Sequence, residues 1–292
     1  MNAEQFAQFW EIQGHRVLRT ESCWWYNSQP FVFMSIPYHR EIEPSSGETL
    51  QVMLKARALV LRFPQKMIAS KVAVGGLCIC SDKHYDFPSL HVKARNQTRR
   101  ALEQCKIERV AFRDLATIGH ELNVQTFSRQ GRDPYSFPSE RWRSYCEAAE
   151  MSPDFEAWGC FVNDSLAAYC VCALVDDYYN ILHQASATEH LLHYPNNALA
   201  FVVTQQALQR ADVAFVSYGL KSIESTSGLD HFKERMGYHV MPRWDRIAIN
   251  PLLGFAMRCG GDRIVSYLHD SNPGSDFWRK AKRTLDMLHS GK

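Results

Sequence analysis

Apolar segments alternate with short polar turns most clearly in the middle of the chain. Three apolar segments, 156–162, 165–175 and 178–187, are separated only by Asn163-Asp164 and Asp176-Asp177. Two-residue turns of Asn and Asp join neighbouring antiparallel strands, because these residues tolerate positive φ angles. The pattern therefore predicts a three-stranded antiparallel meander.

Helical spacing and turn residues divide the rest of the chain. Apolar residues recur every three or four positions after the meander, and Gly237 follows a short helical segment, where glycine is common. Ser139 is a predicted N-cap. The predicted helices are 5–13, 48–56, 90–104, 113–128, 139–149, 198–210, 230–236, 252–268 and 276–288. The other predicted strands are 16–26, 31–36, 58–63, 71–80, 106–112, 213–218, 238–241 and 246–249.

These elements predict a mixed α/β chain with three regions. Its 292 residues suit one large domain or two small ones. Residues 1–88 form an α+β region that ends at Pro88, and residues 89–250 contain the meander and its flanking helices. Residues 251–292 form a helical extension.

Composition narrows the function classes. The net charge is only +2, so the chain as a whole is not a basic nucleic-acid binder. It has no apolar run of 18 residues and no signal-like beginning, which predicts no membrane span and no secretion. Nine cysteines without a C-x-x-C pair predict reduced core thiols, a cytoplasmic location and no metal site.

Two short motifs and the element order suggest a family. From residue 106 the order is strand, helix, helix, meander, helix, strand, helix, strand. The segment 228–238, GLDHFKERMGY, contains G-L-x-x-F-K-x-x-x-G-[FY], and residues 95–100 read R-x-x-x-R-R. Together they resemble the Fem-type, peptidoglycan-ligase-like branch of the GNAT acyltransferases over residues 90–250.

The resemblance implies a fold and an activity. The fold is the GNAT fold, with a central mixed, mostly antiparallel sheet flanked by helices, and residues 1–88 form a smaller, reduced GNAT-like half. The activity is transfer of an acyl or aminoacyl group from an activated donor to an amine acceptor. The donor is acyl-CoA, an acyl carrier protein or an aminoacyl-tRNA.

The chain departs from acyl-CoA-dependent GNAT enzymes at two places. Residues 190–198 occupy the position of the glycine-rich pyrophosphate loop but contain no glycine, so the close backbone approach that glycine allows is lost. The helix that follows can still receive an anion at its N-terminus. Lys233 stands where many GNAT enzymes have a tyrosine that protonates the leaving thiolate. In the Fem-type branch, the matching lysine interacts with the charged group of the donor or with the transition state.

Two residues are the predicted catalytic groups. Acyl transfer needs a neutral amine, a polarised carbonyl and a stabilised leaving group. Lys233 is predicted to stabilise the developing negative charge. His183 is predicted to accept the proton of the amine, because its ordinary pKa is near neutrality.

The remaining predicted site residues belong to donor and substrate binding. Strand alternation places His183 with Tyr179 on one face, and Asn180 with Gln184 and Ser186 on the other. A basic segment, 91–113, carries seven basic against two acidic side chains and suits an anionic partner. The predicted donor-binding residues are Asn196, Asn197, Tyr218, Arg95, Arg99 and Arg100. The predicted substrate-binding residues are Tyr179, Gln184 and Ser186.

A second interpretation belongs to another class. Without the glycine loop, the chain is a non-catalytic GNAT-like module that binds a carrier protein or another partner. A tRNA-dependent ligase is a third possibility. The sequence leaves all three open, because a fold does not dictate its chemistry.

Overall fold

The computed structural model describes residues 1–66, 75–134, 137–221 and 228–256, with 265, 266, 270, 271 and 282. Its helices are α1 (Ala3–Ile12), α2 (Ser46–Ala56), α3 (Val92–Gln104), α4 (Phe112–Arg129), α5 (Ser139–Glu150), α6 (Pro195–Leu208), α7 (Gly228–Arg235) and α8 (Pro251–Ala256). Its strands are β1 (Val17–Arg19), β2 (Trp24–Gln29), β3 (Val32–Ile36), β4 (Val60–Gln65), β5 (Gly75–Cys80), β6 (Lys106–Arg109), β7 (Phe155–Val162), β8 (Ser165–Val175), β9 (Tyr178–Ser186), β10 (Phe215–Leu220) and β11 (His239–Ile249).

The predicted meander is confirmed. Strands β7, β8 and β9 pair antiparallel in succession. The turn residues Asn163 and Asp164 have φ angles of 48° and 62°, and Asp176 has 56°. These left-handed conformations match the twist of a hairpin and explain the Asn and Asp residues at both turns.

The chain divides into two compact units, each made of separate segments. The first unit comprises Met1–Gln5 and Leu77–Met241, and the second comprises Phe6–Gly76 and Pro242–Lys292. The predicted boundaries after residues 88 and 250 remain a prediction about independent domains. In the compact units, residues 77–88 group with the meander, and the segment after residue 241 groups with the N-terminal strands.

The first unit is a sheet with helices on it. Its strand order is β5-β10-β9-β8-β7-β6, and β9 and β10 are the parallel neighbours in this series. A large core contains buried residues of α3 and α6 together with Trp158, Cys170 and Ile181 of the meander. Trp142 of α5 is fully buried elsewhere in this unit and donates to the carbonyl of Leu115 on α4 at 3.0 Å.

The second unit has its own sheet and core. Its strand order is β1-β2-β3-β4-β11, with β3 and β4 parallel and the other neighbours antiparallel. Helix α2 connects β3 to β4, and its N-cap Ser45 accepts from the backbone N–H of Glu48. Trp25, Leu61 and Phe63 are buried beneath this helix's apolar residues in one core. The connection repeats that of β9 to β10 through α6.

Three local predictions are wrong. The predicted strand 16–26 is two strands, because Thr20 closes a turn by donating from its backbone N–H to the carbonyl of Cys23 at 2.9 Å. Ser139 is the first residue of α5, and Pro138 stands at the N-cap. The predicted strands 238–241 and 246–249 form the continuous strand β11.

Parts of three predicted elements fall outside the described residues. These are the beginning of the strand predicted at 71–80 and most of the helices predicted at 252–268 and 276–288. Within the described part of the chain, every helix is too short or too polar to span a bilayer.

Candidate active site

A cavity opens in the first unit where two parallel strands separate. Strand β10 runs beside β9 for three residues only, with Phe215–Ser217 opposite Tyr178–Asn180. Beyond them the cavity has a volume of about 590 Å³, which is ample for a small-molecule ligand or one end of a larger one. Its lining includes side chains from β9, β10, the end of α4, the start of α6 and α7.

Irregularities in both strands coincide with this separation. In β9, Leu182 is an extra residue, since Ile181 pairs with Cys172 and His183 pairs with the adjacent Val171. In β10, the register also shifts between Ser217 and Leu220, where Gly219 has a φ of +72° that favours glycine. Bulges bend a strand and increase its twist. The irregularities therefore bend β9 and β10, the two walls of the cavity, at its opening.

The bulge at Leu182 corrects the predicted faces of β9. Residues directly opposite each other in an antiparallel pair share a face. Through their partners on β8, Tyr179, Gln184 and Ser186 share one face, whereas His183 shares the other with Asn180. The prediction that His183 and Tyr179 lie together is wrong, because strict alternation ignores the inserted residue.

His183 lies at the cavity wall within a ring of aromatic side chains. Its Nε2 is 2.6 Å from Oδ1 of Asn123, and that oxygen also accepts a hydrogen bond from the Tyr169 hydroxyl. With Nε2 as the donor, Nδ1 is left as the proton acceptor. Burial lowers the pKa of His183 to about 4, and the positive charge of Arg132 contributes in the same direction. The imidazole is therefore neutral at pH 7.

Lys233 is a buried cation on α7 that lines the same cavity. Its side chain is only 5% exposed. Nζ donates to the carbonyl of Leu220 at 3.1 Å and lies 3.8 Å from Oδ1 of Asp230 and 3.9 Å from Sγ of Cys78. The ammonium also lies 5.6 Å from the ring centre of Tyr218. A buried charge is costly unless it is partnered, and these contacts hold it beside the opening.

A chain of hydrogen bonds links the two walls to the start of α6. The Tyr218 hydroxyl donates to Oε1 of Gln184, and Nε2 of Gln184 donates to Oδ1 of Asn196 at 2.8 Å. Nδ2 of Asn196 then donates to Oγ of Ser186 at 3.1 Å. Burial raises the pKa of Tyr218, so its hydroxyl stays protonated. Asn196 thus joins the cavity wall rather than capping its helix.

The end of α4 supplies cavity residues that the sequence analysis did not identify. Arg129, Gln130 and Arg132 line the cavity with Thr126 and Phe127. They lie in and just after the last turn of a helix with ordinary amphipathic spacing, and no motif marks them. The G-L-x-x-F-K segment, by contrast, pointed directly to Lys233.

The structure brings together six of the predicted site residues. His183, Gln184, Ser186, Asn196, Tyr218 and Lys233 all line the cavity. Tyr179 does not, and its hydroxyl donates to Glu156 inside a cluster with Arg109. Asn197 is buried against Met236, with Nδ2 3.5 Å from its sulfur.

The three predicted arginines of α3 lie outside the cavity lining. Arg95 donates to the backbone carbonyl of Leu90 at 3.1 Å. Arg99 lies 5.0 Å from the ring centre of Phe87, and Arg100 lies 5.9 Å from that of Tyr194, which precedes α6. Their donor-binding role stays a prediction. Among the described residues, no group of three or more His, Cys, Asp or Glu side chains is placed to hold a metal ion.

Comparison with solved structures bears on the fold. The chain is similar to FemX, with 12% sequence identity and a TM-score of 0.59 over 87% of this chain and 92% of that one. The chain therefore has a GNAT-type fold, as FemX does. This chain is also similar to the C-terminal domain of a protein from Agrobacterium fabrum that is described as a lysylphosphatidylglycerol synthetase. That match has 12% identity and a TM-score of 0.58 over 87% and 90% of the two chains.

A third match by structure is a conserved protein of unknown function from Bacteroides thetaiotaomicron. It has 10% identity and a TM-score of 0.52 over 85% of this chain and 90% of that one. No protein-family model matches this chain, and none of the curated proteins matches its sequence. At such low identity, these likenesses concern the fold, and the chemistry must be argued from the cavity itself.

Proposed function

We propose that this chain transfers an acyl or aminoacyl group from an activated donor to an amine acceptor. The observation that carries the proposal is the buried ammonium of Lys233 beside the opening between β9 and β10. A positive charge in a largely water-excluded site stabilises the negative charge that develops on the carbonyl oxygen or the leaving group. The GNAT-like fold and its similarity to FemX support the same reaction class.

The reaction needs one bond to form and one to break. The neutral nitrogen of the acceptor attacks the donor carbonyl carbon, and the bond from that carbon to sulfur or oxygen breaks. The proton that the nitrogen loses passes through His183 or water to the leaving group. With a pKa of about 4, His183 accepts a proton only from the acidic ammonium formed by addition, and not from a resting alkylammonium.

The donor remains one of three classes. An acyl-CoA, an acyl carrier protein and an aminoacyl-tRNA all present an activated carbonyl on a long anionic carrier. The segment before α6 has no glycine, and Tyr194 there adopts a left-handed conformation with φ 53°. This weakens the case for coenzyme A relative to the two macromolecular donors, because the pyrophosphate-binding backbone of acyl-CoA enzymes relies on glycine.

The alternative is a binding module without turnover. The same missing glycines favour it, as does the low basicity of His183. A module of this kind would hold a carrier protein or another partner at the cavity and would not need the charge of Lys233.

One experiment separates the two functions. We compare three proteins: the wild type, Lys233→Met and Lys233→Arg. Each is incubated with a mixture of amines and with one donor, which is an acyl-CoA, an acylated carrier protein or an aminoacyl-tRNA. The products are identified by mass spectrometry. We expect a product from one donor class with the wild type. Lys233→Met should lower its kcat at least about 100-fold, the usual effect of removing one charge-stabilising group.

The controls make each outcome decisive. Lys55→Met, an exposed position on α2, should leave the rate unchanged. Lys233→Met should keep its melting temperature within about 5 °C, because the loss of a buried charge offsets the loss of its contacts. If no donor yields a product, yet a carrier protein still binds wild type and Lys233→Met equally, the chain is a binding module.

A further inference from the structure

Large apolar side chains are exposed together at one end of the sheet in the second unit. Each of four residues is between 38% and 81% exposed, namely Phe31, Leu59, Leu252 and Phe255. Single exposed apolar residues are ordinary, whereas a contiguous group marks a surface that binds another molecule. We call these four residues, with Arg16 and Arg57 beside them, the sheet-end surface.

Backbone hydrogen bonds place the apolar residues side by side. The N–H of Leu59, which precedes β4, donates to the carbonyl of Phe31 in the β2–β3 turn at 2.9 Å. The N–H of Asn250, which follows β11, donates to the carbonyl of Leu59 at 2.8 Å. Leu252 and Phe255 come next on α8, three positions apart, and share a helix face. Three neighbouring connections therefore present apolar side chains at the same end of the sheet.

The segments that meet at this end are basic. Segments 15–17, 27–32, 57–60 and 248–256 contain Arg16 and Arg57 and no acidic residue. The backbone N–H of Arg16 donates to Oδ1 of Asn27 at 2.6 Å, and its Nη1 donates to the carbonyl of Ala56 at 3.2 Å. Arg16 therefore lies beside both the β2–β3 hairpin and the end of α2, and Arg57 is exposed directly after that helix.

Acidic side chains lie outside these segments. Asp245, three residues before the last of them, is buried and paired with Arg62 and Arg243. Glu21 follows the far end of β1, and Glu11 lies on α1. The exposed charge of the four segments is therefore positive.

An apolar surface with arginines beside it restricts the kind of partner. A two-fold contact with a second copy of this chain would bring the same arginines of both copies into one interface, where they would repel each other. A bilayer of anionic phospholipids presents phosphate groups directly above acyl chains, so it matches the cations and the apolar side chains together. Side chains from three separate connections can enter a bilayer at different depths without a groove of matching shape.

We propose that the sheet-end surface binds the headgroup region of an anionic phospholipid bilayer. The four apolar side chains enter the boundary between headgroups and acyl chains, and the two arginines contact lipid phosphates. Binding of this kind holds the chain on one leaflet without crossing the bilayer. None of these residues belongs to the cavity lining, so the proposal goes beyond the transfer reaction and does not depend on it.

Co-sedimentation of the full chain with lipid vesicles tests the proposal. The vesicles contain phosphatidylcholine alone or an equal mixture of phosphatidylcholine and phosphatidylglycerol, and binding is measured at low and at raised salt. We expect the mixed vesicles to bind the chain at least about 10-fold more tightly, since each cation near an anionic surface contributes about fivefold. Raised salt should reduce this preference.

Two variants remove the two parts of the surface separately. The double variant Phe31→Asn/Leu252→Ser should bind mixed vesicles at least about 10-fold more weakly, because two large apolar side chains no longer leave water. Asparagine suits position 31, where φ is 60°. Arg57→Gln should weaken the same binding about fivefold and reduce its salt dependence.

The matched controls are exposed residues of the same kinds in the first unit. Met151, just after α5, and Arg143, on α5, are both exposed. Met151→Ser and Arg143→Gln should bind vesicles as the wild type does. Lys233→Met should also bind normally, so loss of transfer and loss of vesicle binding are separate results. Unchanged melting temperatures would show that every variant is folded.

Several results would overturn the proposal. The wild type would bind neither kind of vesicle if another segment of the chain or a protein partner covered the surface. Equal binding to both kinds of vesicle would remove the role of the arginines, and undiminished binding by the double variant would remove that of the apolar residues. Self-association in sedimentation equilibrium that the double variant abolishes, without vesicle binding, would assign the surface to a contact between two copies.

Discussion

His183 shows how one side chain's surroundings set its chemistry. The sequence suggests a base with a pKa near neutrality, and the structure surrounds the imidazole with the rings of Trp142, Tyr169 and Phe137 at centroid distances of 5.3–6.0 Å. Such surroundings disfavour the imidazolium. The sequence could not foresee this, because the rings come from three separate elements.

The lowered pKa has a consequence for stability. The pKa is about 4 in the folded chain against 6.5 ordinarily, so unfolding takes up a proton between these values. Stability is therefore unaffected above pH 6.5 and falls as the pH drops from 6.5 to 4. At roughly 1.4 kcal/mol per pKa unit, the loss is at most about 3 kcal/mol.

Urea unfolding at pH 4.5, 5.5 and 7 of wild type and His183→Gln measures this loss. The variant should lose less stability on acidification than the wild type, whereas His84→Gln, at an exposed position, should follow the wild type. If the free energy of unfolding changed equally with pH in all three proteins, His183 would not be buried as described.

At the scale of elements, Gly237 ends the helix that carries Lys233. Its φ is +84°, and a Cβ there would lie 2.9 Å from the carbonyl oxygen of Ser89. Alanine would meet both a strained backbone and a backbone atom that cannot move freely. The sequence identified this helix end correctly, because a glycine at that position has a local cause.

We expect Gly237→Ala to lower the free energy of unfolding by about 1–3 kcal/mol. Gly254→Ala is the matched control, because Gly254 lies within α8 with a helical backbone and no atom within 4 Å of a Cβ. That change should be neutral or slightly stabilising. Equal effects of the two substitutions, measured by chemical denaturation, would contradict the assigned role of Gly237.

Elements with local signals were predictable, and their partners in space were not. The meander followed from its turns, and α7 from its glycine and its G-L-x-x-F-K segment. The contribution of α4 to the cavity depends on Arg129 reaching Ser186, 57 positions away in the chain. The faces of β9 were mistaken because Leu182 has no side-chain property that marks a bulge.

At the scale of the whole molecule, the second unit is completed by the C-terminal part of the chain. Residues Val60–Gln65 of β4 pair with Trp244–Ile249 of β11 along the whole strand. Arg62 also contacts Asp245 at 2.5 Å, where the carboxylate is buried. Strands β3 and β4 are parallel and are connected by a helix, and the assignment of residues 1–88 as a reduced GNAT-like half stays a prediction.

This arrangement predicts that residues 1–88 do not fold alone. The fragment would expose the full edge of β4 and leave Arg62 without its carboxylate. We expect weak dispersion in the amide NMR spectrum of the fragment, compared with sharp, dispersed signals from the full chain. A well-dispersed, cooperatively melting fragment would instead make residues 1–88 an independent domain.

The extra residue in β9 affects both the bend of the strand and the faces on which its side chains lie, and the two effects can be separated. If Leu182 were deleted, His183 would follow Ile181 directly, and the partners Val171 and Cys172 on β8 are already adjacent. Every remaining side chain of β9 would then keep its present face, while the strand would lose the residue that bends it away from β10. We therefore expect a deletion at this position to narrow the opening while the other lining residues of β9 keep their present faces, a separation that no substitution at Leu182 can achieve.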